Sequence, residues 1–327
     1  MTDLIDSFSR RINYMRISVT DRCDLRCIYC TDRFDHKLRH DDILRYEEIH
    51  LIVQAAARLG VKKLRLTGGE ALTRLHLSRL VDMLAHTEGI EEVSLTTNGT
   101  HLAQHVEELK AAGLSRVNVS LDSLKPSRFE HITGGGQLKD VLAGIEAAKE
   151  ADLNPVKINM VVLRGVNDAE VLDFARKTLL DDGWHVRFIE HMPFINGNGR
   201  NGTVAVRDIM SSIEHSLGKL EPHFPTSGNG PARYYKLPDA PGTLGFIGAV
   251  TECFCAECNR FRLTADGHLR PCLLDDDEID LKEPLRSGAD IAELERLILE
   301  AATRKQQQHH LRENGAPEKR QMWQIGG

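Results

Sequence analysis

The placement of the seven cysteines is the feature that most restricts how this chain of 327 residues can fold and function. Three of them, Cys23, Cys27 and Cys30, lie close together, and the other four lie between Cys253 and Cys272. An isolated cysteine is usually a buried free thiol, whereas clusters of this kind are typical of ligand sets. An odd total also argues against a fully paired disulfide framework. The sequence therefore predicts two metal or cluster centres.

The spacing of the first group favours an iron–sulfur cluster over zinc. The segment TDRCDLRCIYC has a single Cys-x2-Cys pair with a third cysteine upstream, whereas closed zinc sites usually use two such pairs. Three thiolates suit a four-iron, four-sulfur cubane in which one iron lacks a protein ligand and can bind a substrate or cofactor. The second group likewise offers Cys255, Cys258 and Cys272, and at this point Cys253 is either a fourth ligand that closes the cluster or a free thiol.

Between Tyr14 and Glu190 the sequence alternates short β-type runs with amphipathic helical stretches. The predicted strands cover residues 14–19, 63–67, 93–97, 117–121, 156–163 and 185–190, and the predicted helices cover 47–60, 75–85, 101–112, 139–151, 169–180 and, further on, 291–304. Such units form parallel strands with right-handed crossovers. Six units are fewer than the eight of a closed barrel, so we expect an α/β fold with a partial, open (β/α)6 barrel. Sites in such folds lie at the carboxyl ends of the strands.

After Met192 this alternation ends in the Asn- and Gly-rich segment PFINGNGRNG. We therefore predict two domains, residues 1–192 with the first cluster and residues 193–327 as a C-terminal extension with the second cluster. The Asp266-Gly267 pair predicts a tight turn, which would return Cys272 to the other two cysteines of its group.

Composition and charge exclude two classes of partner. A net charge of −6 gives no reason to expect a nucleic-acid binder, and no apolar run approaches the roughly 20 residues of a membrane span. The N-terminal segment lacks the apolar core of a secretory signal, so we expect a cytoplasmic protein.

His309 and His310 follow three glutamines and are predicted to lie on a solvated helix rather than at a metal.

The first cysteine motif, with Tyr29 before its last cysteine, resembles that of the radical S-adenosylmethionine superfamily. Gly68, Gly69 and Glu70 resemble its cofactor-binding element, in which glycine lets the backbone approach the ligand closely. The family usually has proline where this chain has Ala71. The resemblance implies a [4Fe-4S] cluster whose open iron chelates S-adenosylmethionine, and one-electron cleavage of that cofactor to a radical that abstracts hydrogen from the substrate.

Four features together resemble one family within that superfamily, the GTP 3′,8-cyclases. They are the first cysteine loop, TGGE, CNRFRLTADGHLRPCL and the C-terminal Gly326-Gly327. The resemblance implies a second [4Fe-4S] cluster and radical cyclisation of GTP to (8S)-3′,8-cyclo-7,8-dihydroguanosine 5′-triphosphate, the first step of molybdenum cofactor biosynthesis. It also implies an electron donor of the flavodoxin or ferredoxin type and a downstream cyclic pyranopterin monophosphate synthase. A homodimer is compatible with the sequence, which does not fix the oligomeric state.

The same resemblance assigns roles to individual positions. It implies that the first cluster is held by Cys23, Cys27 and Cys30 and the second by Cys255, Cys258 and Cys272. It implies that S-adenosylmethionine is bound by Tyr29, Gly69, Ser120 and Met192, and that GTP is bound by Arg16, Arg65, Thr96, Lys157, Arg260, Phe261 and Arg262. It also implies that catalysis is assisted by Gly326 and Gly327. The residues themselves support part of this set, because Arg16, Arg65 and Lys157 lie in otherwise apolar strands, which is costly unless they face a polar cavity. Asn98, Asp122 and Asn159 are predicted near the same rim, without an assigned role.

Two alternative functions stay open at this point. A radical S-adenosylmethionine enzyme that modifies peptides also carries auxiliary clusters in its C-terminal region. The Cys-x2-Cys-x13-Cys spacing with NRFR and the terminal Gly-Gly favour the cyclase over it. A non-enzymatic zinc-binding module would be a colourless protein with stoichiometric zinc and no iron.

Overall fold

The structure is a computed structural model that describes residues 3–30, 37–181, 183–192, 202–224, 230–309 and 320–326. Its strands are β1 (Tyr14–Ser18), β2 (Lys63–Thr67), β3 (Glu92–Thr97), β4 (Arg116–Ser120), β5 (Lys157–Val162), β6 (His185–Glu190), β7 (Glu221–His223), β8 (Arg233–Lys236), β9 (Thr243–Ile247), β10 (Arg260–Leu263), β11 (His268–Arg270) and β12 (Ile279–Asp280). Its helices are α1 (Tyr46–Arg58), α2 (Leu77–Ala85), α3 (Leu102–Ala111), α4 (Pro126–Thr133), α5 (Leu138–Glu150), α6 (Val171–Arg176), α7 (Val206–Leu217), α8 (Lys282–Arg286) and α9 (Ile291–Arg304).

Strands β1 to β6 form the parallel core of the sheet, side by side in the order of the sequence. The bounds of β2 and β6 are those predicted, and the other four core strands differ from prediction by no more than one residue at either end. The six predicted strand units are therefore confirmed. The outermost strands, β12 and β7, do not pair with each other within the described residues, so the barrel is open, as predicted.

The chain after β6 extends this sheet at both edges, which the sequence analysis did not predict. β10 pairs with β1 and β9 pairs with β6, both in parallel. Antiparallel neighbours complete each side, with β11 and β12 beyond β10 and with β8 and β7 beyond β9. Gly267, between β10 and β11, has a φ of 87°, which confirms the predicted tight turn.

The helices pack on the sheet through apolar stripes. For example, α1 buries Ile49, Ile52 and Val53, and α9 packs beside α1. The predicted helix over 169–180 is shorter in the structure, where α6 is flanked by 3-10 turns. The Thr178 hydroxyl donates to the Ala175 carbonyl in the 3-10 turn that follows α6. No helix in the described part of the chain is long and apolar enough to cross a membrane.

Candidate active site

A cavity of about 300 Å³ lies at the carboxyl ends of the core strands, where the sequence analysis expected a site. We call Cys23, Cys27 and Cys30 the first trio and Cys255, Cys258 and Cys272 the second trio; all six line this cavity. The other predicted site residues that line it are Arg16, Tyr29, Arg65, Gly69, Thr96, Ser120, Met192, Arg260, Arg262 and Gly326. Gly327 lies outside the described residues.

The first cysteine loop is held against the glycine-rich turn that follows β2. The N–H of Gly69 donates to the Thr20 carbonyl at 2.8 Å, and that of Glu70 donates to the Arg22 carbonyl at 2.7 Å. A Cβ on Gly69 would lie 2.4 Å from the Arg22 oxygen, so glycine is required for this approach. The structure thus gives Gly69 a second task beside the predicted approach to a ligand, namely fixing the cysteine loop.

Glu70 organises the same turn. Its carboxylate accepts hydrogen bonds from the N–H groups of Leu72 and Asn98 at 2.9 and 2.6 Å, and from the Thr97 hydroxyl at 2.8 Å. Burial raises the pKa of Glu70 to about 7 in spite of these bonds. Ala71, where proline is usual in the family, is fully buried in a 3-10 turn that Glu70 caps. The cap therefore holds the turn without proline.

Tyr29 links the first cysteine loop to the residues that follow β4. Its hydroxyl donates to Asp122 Oδ2 at 2.6 Å, and the Val161 N–H donates to Asp122 Oδ1 at 2.8 Å. Burial raises the pKa of Asp122 to about 6. Burial, and after it the charge of Asp122, raises the pKa of the Cys27 and Cys30 thiols. Asp122 had no assigned role in the sequence analysis, and the structure makes it the anchor of Tyr29.

The second trio is arranged around the hairpin of β10 and β11. Cys258 lies two residues before β10 and Cys272 lies two residues after β11, so the hairpin brings both ends together. Burial opposes ionisation of Cys258, but the charges of Lys305 and Arg260 outweigh it and lower the pKa of this thiol to about 7. Lys305 Nζ is held beside the trio by the Arg260 carbonyl, at 3.1 Å, and by the Pro271 carbonyl.

The two trios fit polynuclear clusters better than single zinc ions. Tetrahedral zinc at about 2.3 Å from each ligand requires sulfur atoms about 3.8 Å apart. Both trios are fully described, and in neither do all three sulfur atoms lie within 4.8 Å of one another. All seven cysteines are free thiols. The wider spacing suits [4Fe-4S] clusters, in which each thiolate binds a different iron.

A row of guanidinium groups also lines the cavity. β10, β1 and β2 pair in a register that places Arg262, Arg16 and Arg65 side by side. Burial, and then neighbouring guanidinium groups, lowers the pKa of Arg16 and lowers that of Arg262 to about 9. Arg16 Nε is buried without a hydrogen-bond partner among the described residues. Buried cationic groups of this kind are costly until an anion binds them, so the row is a candidate anion site.

Two further polar residues that line the cavity near this row were not predicted from the sequence. Arg187 lines the cavity from β6, and its guanidinium donates to Asn118 Oδ1. Tyr14 lines it from β1, with its ring centre 5.5 Å from the Arg65 guanidinium. Arg187 stands in the apolar run HVRFIE and so carries the same signal that indicated Arg16. That signal could have found it.

Two predicted GTP contacts are not part of the cavity lining. Lys157 lies on the same face of β5 as Asn159, but it is buried, with Nζ 5.3 Å from the centre of the Tyr234 ring. Burial and then nearby guanidinium groups lower its pKa to about 6. Phe261 is fully buried and alternates to the opposite face of β10 from its two arginine neighbours. The roles of Lys157 and Phe261 stay predictions.

The C-terminal tail reaches the cavity. The Arg262 guanidinium donates to the carbonyls of Ile325 and Gly326, at 3.3 and 3.1 Å. Gly326 has a φ of 72°, and a Cβ there would lie 2.2 Å from Thr67 Oγ1. Glycine is therefore required on both conformational and steric grounds. Gly326 therefore lines the cavity, and the catalytic role of the tail stays a prediction.

The prediction that His309 lies on a solvated helix is wrong. α9 ends at Arg304, and His309 lies beyond it, half-buried on the cavity wall, with Nε2 3.2 Å from the Ala249 carbonyl. The helix stops because Lys305 turns inward, where it is buried and hydrogen-bonded beside the second trio. His310 lies outside the described residues.

Comparison with known proteins identifies relatives of both halves of the chain. Residues 17–178 match the family model described as Radical SAM superfamily, and residues 184–311 match that described as Molybdenum Cofactor Synthesis C. The chain is 50% identical over 325 residues to the GTP 3′,8-cyclase of Pelotomaculum thermopropionicum, covering 98% of this chain and 99% of the relative. It is 47% identical over 327 residues to the GTP 3′,8-cyclase of Desulforamulus reducens, covering 99% and 100%.

Among solved structures, the fold is similar to that of Streptococcus suis SuiB bound to S-adenosylmethionine. The TM-score is 0.64 at 13% identity, covering 87% of this chain and 68% of SuiB. At this identity the likeness concerns the fold alone. It agrees with the predicted α/β architecture.

Proposed function

We propose that this chain, a member of the GTP 3′,8-cyclase family within the radical S-adenosylmethionine superfamily, converts GTP to (8S)-3′,8-cyclo-7,8-dihydroguanosine 5′-triphosphate, the first step of molybdenum cofactor biosynthesis. One observation of the site carries this proposal: both cysteine trios and a row of three arginines, of which Arg65 and Arg262 are buried, line the same cavity. Such a cavity suits an adenosyl cofactor and a nucleoside triphosphate bound together.

We assign the first trio to the first [4Fe-4S] cluster, and Tyr29, Gly69, Ser120 and Met192 to S-adenosylmethionine. When bound, the cluster and S-adenosylmethionine supply the one-electron chemistry that removes a hydrogen atom from the substrate. The chain's own residues position these groups. Gly69 fixes the cysteine loop through Thr20, and Asp122 anchors Tyr29.

We assign the second trio to the second [4Fe-4S] cluster, and Arg16, Arg65, Thr96, Lys157, Arg260, Phe261 and Arg262 to GTP. A triphosphate carries about four negative charges and would compensate the buried guanidinium groups. The approach of these charges would also raise the pKa of Lys157 from its value of about 6, so that its ammonium form persists at neutral pH. Binding energy from the triphosphate would thereby hold the ribose in place for the reaction.

We assign a catalytic positioning task to the tail, Gly326 and Gly327. Arg262 binds the Gly326 carbonyl, so the same arginine contacts the tail and faces the proposed triphosphate site. An ordered tail that lines the cavity would exclude water from a reactive centre. Tail placement and substrate binding would then be coupled through one side chain.

The remaining partners are proposals of the same kind. We propose an electron donor of the flavodoxin or ferredoxin type, and consumption of the product by a cyclic pyranopterin monophosphate synthase. Seven free thiols support a cytoplasmic location, where disulfides rarely form. The division into residues 1–192 and 193–327, and a homodimeric state, stay predictions.

Peptide modification is the alternative function. The likeness to SuiB, at 13% identity, concerns the fold and does not favour it. The family likeness at 50% identity over nearly the whole chain supports the cyclase instead.

The test is anaerobic turnover of the reconstituted protein with S-adenosylmethionine, a reductant and GTP deuterated at C3′. We expect a product isomeric with GTP, and we expect deuterium in the 5′-deoxyadenosine, both measured by mass spectrometry. The matched variant is Cys258→Ser, which removes one proposed ligand of the second cluster only. It should still cleave S-adenosylmethionine slowly but form no cyclised product. Unlabelled 5′-deoxyadenosine from the wild-type chain with unchanged GTP would contradict the proposal.

A further inference from the structure

Cys253, Cys255 and His309 form a cluster of potential ligands that neither trio explains. One ligand atom from each of the three residues lies within 4.8 Å of the other two. Cys255 also belongs to the second trio, whereas Cys253 and His309 have no task in the proposed reaction. No other group of three such side chains in the described part of the chain meets this distance. It is therefore the set whose spacing best fits a single metal ion.

Local contacts hold these three side chains together. The N–H of Cys255 donates to the Cys253 sulfur at 3.4 Å, and the backbone N–H of His309 donates to the Cys255 sulfur. The imidazole is oriented by Ala249, whose carbonyl lies 3.2 Å from Nε2. A carbonyl can only accept, so Nε2 carries the proton and Nδ1 carries the lone pair. A carbonyl bonded to one ring nitrogen is the usual support of a histidine that binds metal through the other.

We propose that Cys253, Cys255 and His309 form a mononuclear site for a thiophilic divalent cation such as Zn²⁺ or Fe²⁺, which is filled when Cys255 is not engaged by the second cluster. Two thiolates and one imidazole, with solvent as the fourth ligand, suit a tetrahedral ion. Binding converts the two thiols to thiolates and releases two protons to solvent. Cys253 is exposed, so an ion can enter from outside.

The shared residue gives this site a consequence for assembly. One sulfur cannot complete both a mononuclear site and the second cluster in the way proposed, so the two occupants exclude each other. Fe²⁺ in the site would be a precursor that assembly can build on. Zn²⁺ in the site would block the second cluster while leaving the first, whose ligands lie elsewhere in the sequence.

The site is tested in the full-length double variant Cys258→Ser, Cys272→Ser, which loses the second cluster and keeps Cys255. With the first cluster loaded, we expect one Zn²⁺ per chain. The zinc X-ray absorption edge, which does not respond to iron, should show two sulfur ligands and one imidazole nitrogen. Adding Cys253→Ser or His309→Ala should weaken zinc binding about tenfold or more. His215→Ala, at an exposed histidine of α7, is the matched control and should leave zinc binding unchanged.

Folding is monitored in each variant by the first cluster, at about four irons per chain. Any of three results would overturn the proposal: zinc retained equally after Cys253→Ser and His309→Ala, a zinc ligand shell of three or more sulfurs, or no retained zinc. A second measurement uses the chain with all its cysteines. One equivalent of Zn²⁺ added before reconstitution should lower the iron content from about eight to about four per chain, and Cys253→Ser should largely prevent this loss. Equal loss in both chains would also count against the site.

Discussion

The two trios face the same cavity, but different charged side chains surround them. Near the first trio, burial and then the carboxylates of Asp122 and Glu70 raise the pKa of the thiols. Near the second trio, burial likewise raises the pKa of Cys272 and raises that of Cys255 to about 12, but the charges of Lys305 and Arg260 outweigh burial at Cys258, whose pKa falls to about 7. One end of the cavity is therefore rich in negative charge and the other in positive charge.

This difference matches the charges of the two proposed ligands. S-adenosylmethionine carries a sulfonium, an ammonium and a carboxylate group and is a net cation, whereas GTP is an anion. Two unit charges 4 Å apart interact by about 4 kcal/mol at an effective dielectric constant near 20. Exchange of the two ligands between the two ends would therefore be strongly penalised. If the proposed assignment holds, local charge decides which of the two ligands each end of the cavity accepts.

Removing one thiolate from each trio in turn is the strongest test of this comparison. Cys27→Ser should lower S-adenosylmethionine cleavage more than about 100-fold, because the first cluster loses a ligand. Cys258→Ser should keep cleavage and lose the cyclised product. Iron should fall from about eight to about four per chain in both variants. Parallel mass spectrometry of 5′-deoxyadenosine and of the nucleotide product distinguishes the two.

Each of these variants is the control for the other. If Cys27→Ser retained cleavage, the first trio would not be the centre that binds S-adenosylmethionine. If Cys258→Ser still cyclised GTP, the two ends of the cavity would not divide the reaction as proposed.

The tail connects the two ends, and Gly326→Ala should disturb that connection. The new Cβ would lie 2.2 Å from Thr67 Oγ1, at a φ of 72°, so the tail must shift. A displacement of about 1 Å in a catalytic group lowers turnover about 100-fold. We expect that loss in cyclisation, with iron content and affinity for S-adenosylmethionine unchanged.

Gly288→Ala is the matched control for the tail variant. Gly288 also has a positive φ, 95°, but a Cβ there meets nothing within 4 Å. It should lose some stability from backbone strain and keep full activity. Equal activity of the two variants would mean that Gly326 has no positioning task.

Arg16→Met tests the positive end of the cavity alone. Loss of one charged hydrogen-bonding group should weaken GTP binding about tenfold to thirtyfold and leave S-adenosylmethionine binding unchanged. Because the buried guanidinium lacks a partner at Nε, the GTP-free protein should also unfold about 2 °C higher. Arg207→Met, at an exposed arginine, is the control for both measurements. GTP binding unaffected by Arg16→Met would remove this residue from the anion site.

The sequence predicted the elements whose signal is local. The strand KLRLT is a short apolar run between polar and glycine-rich segments, and its bounds were predicted correctly as Lys63–Thr67. The short strand Thr243–Ile247 was missed, because GTLGFIG has glycines that weaken the β pattern. α7 was also missed, although Val206, Ile209 and Ile213 stand at helical spacing and are buried.

The site was predicted less completely because it depends on contacts between distant parts of the chain. Successive side chains alternate between the two faces of a strand, so the sequence of β10 already implied that Arg260 and Arg262 lie on one face and Phe261 on the other. The proximity of Cys253 and His309 has no local signal, since it depends on where the chain turns after α9. Likewise, only the fold shows that Asp122 holds Tyr29.

The prediction with the smallest expected effect concerns Arg320, where the described C-terminal tail begins. Its ion pairs attach the tail to the β10–β11 hairpin and to the segment that follows the hairpin. Arg320 pairs with Glu278 at 2.7 Å and with Asp266 at 3.0 Å. Burial alone would raise the pKa of Glu278, but the hydrogen bond and charge of Arg320 outweigh it and hold the pKa below its ordinary value of 4.5. A carboxylate with a lowered pKa contributes stability above pH 4.5, and that contribution is lost as the pH falls through the folded value.

Glu278→Gln should therefore loosen the tail at neutral pH by about 1 kcal/mol, because Glu278 is only 18% exposed in its pair with Arg320. Amide hydrogen exchange of residues 321–326 should be about fivefold faster than in the wild-type chain at pH 7, and the difference should shrink below pH 4.5 once intrinsic rates are corrected. Glu293→Gln breaks an exposed pair with Arg296 on α9, also with a lowered carboxyl pKa, and should leave tail exchange unchanged. A pH-independent difference in exchange would show that packing, rather than this charge pair, fastens the tail between the two ends of the cavity.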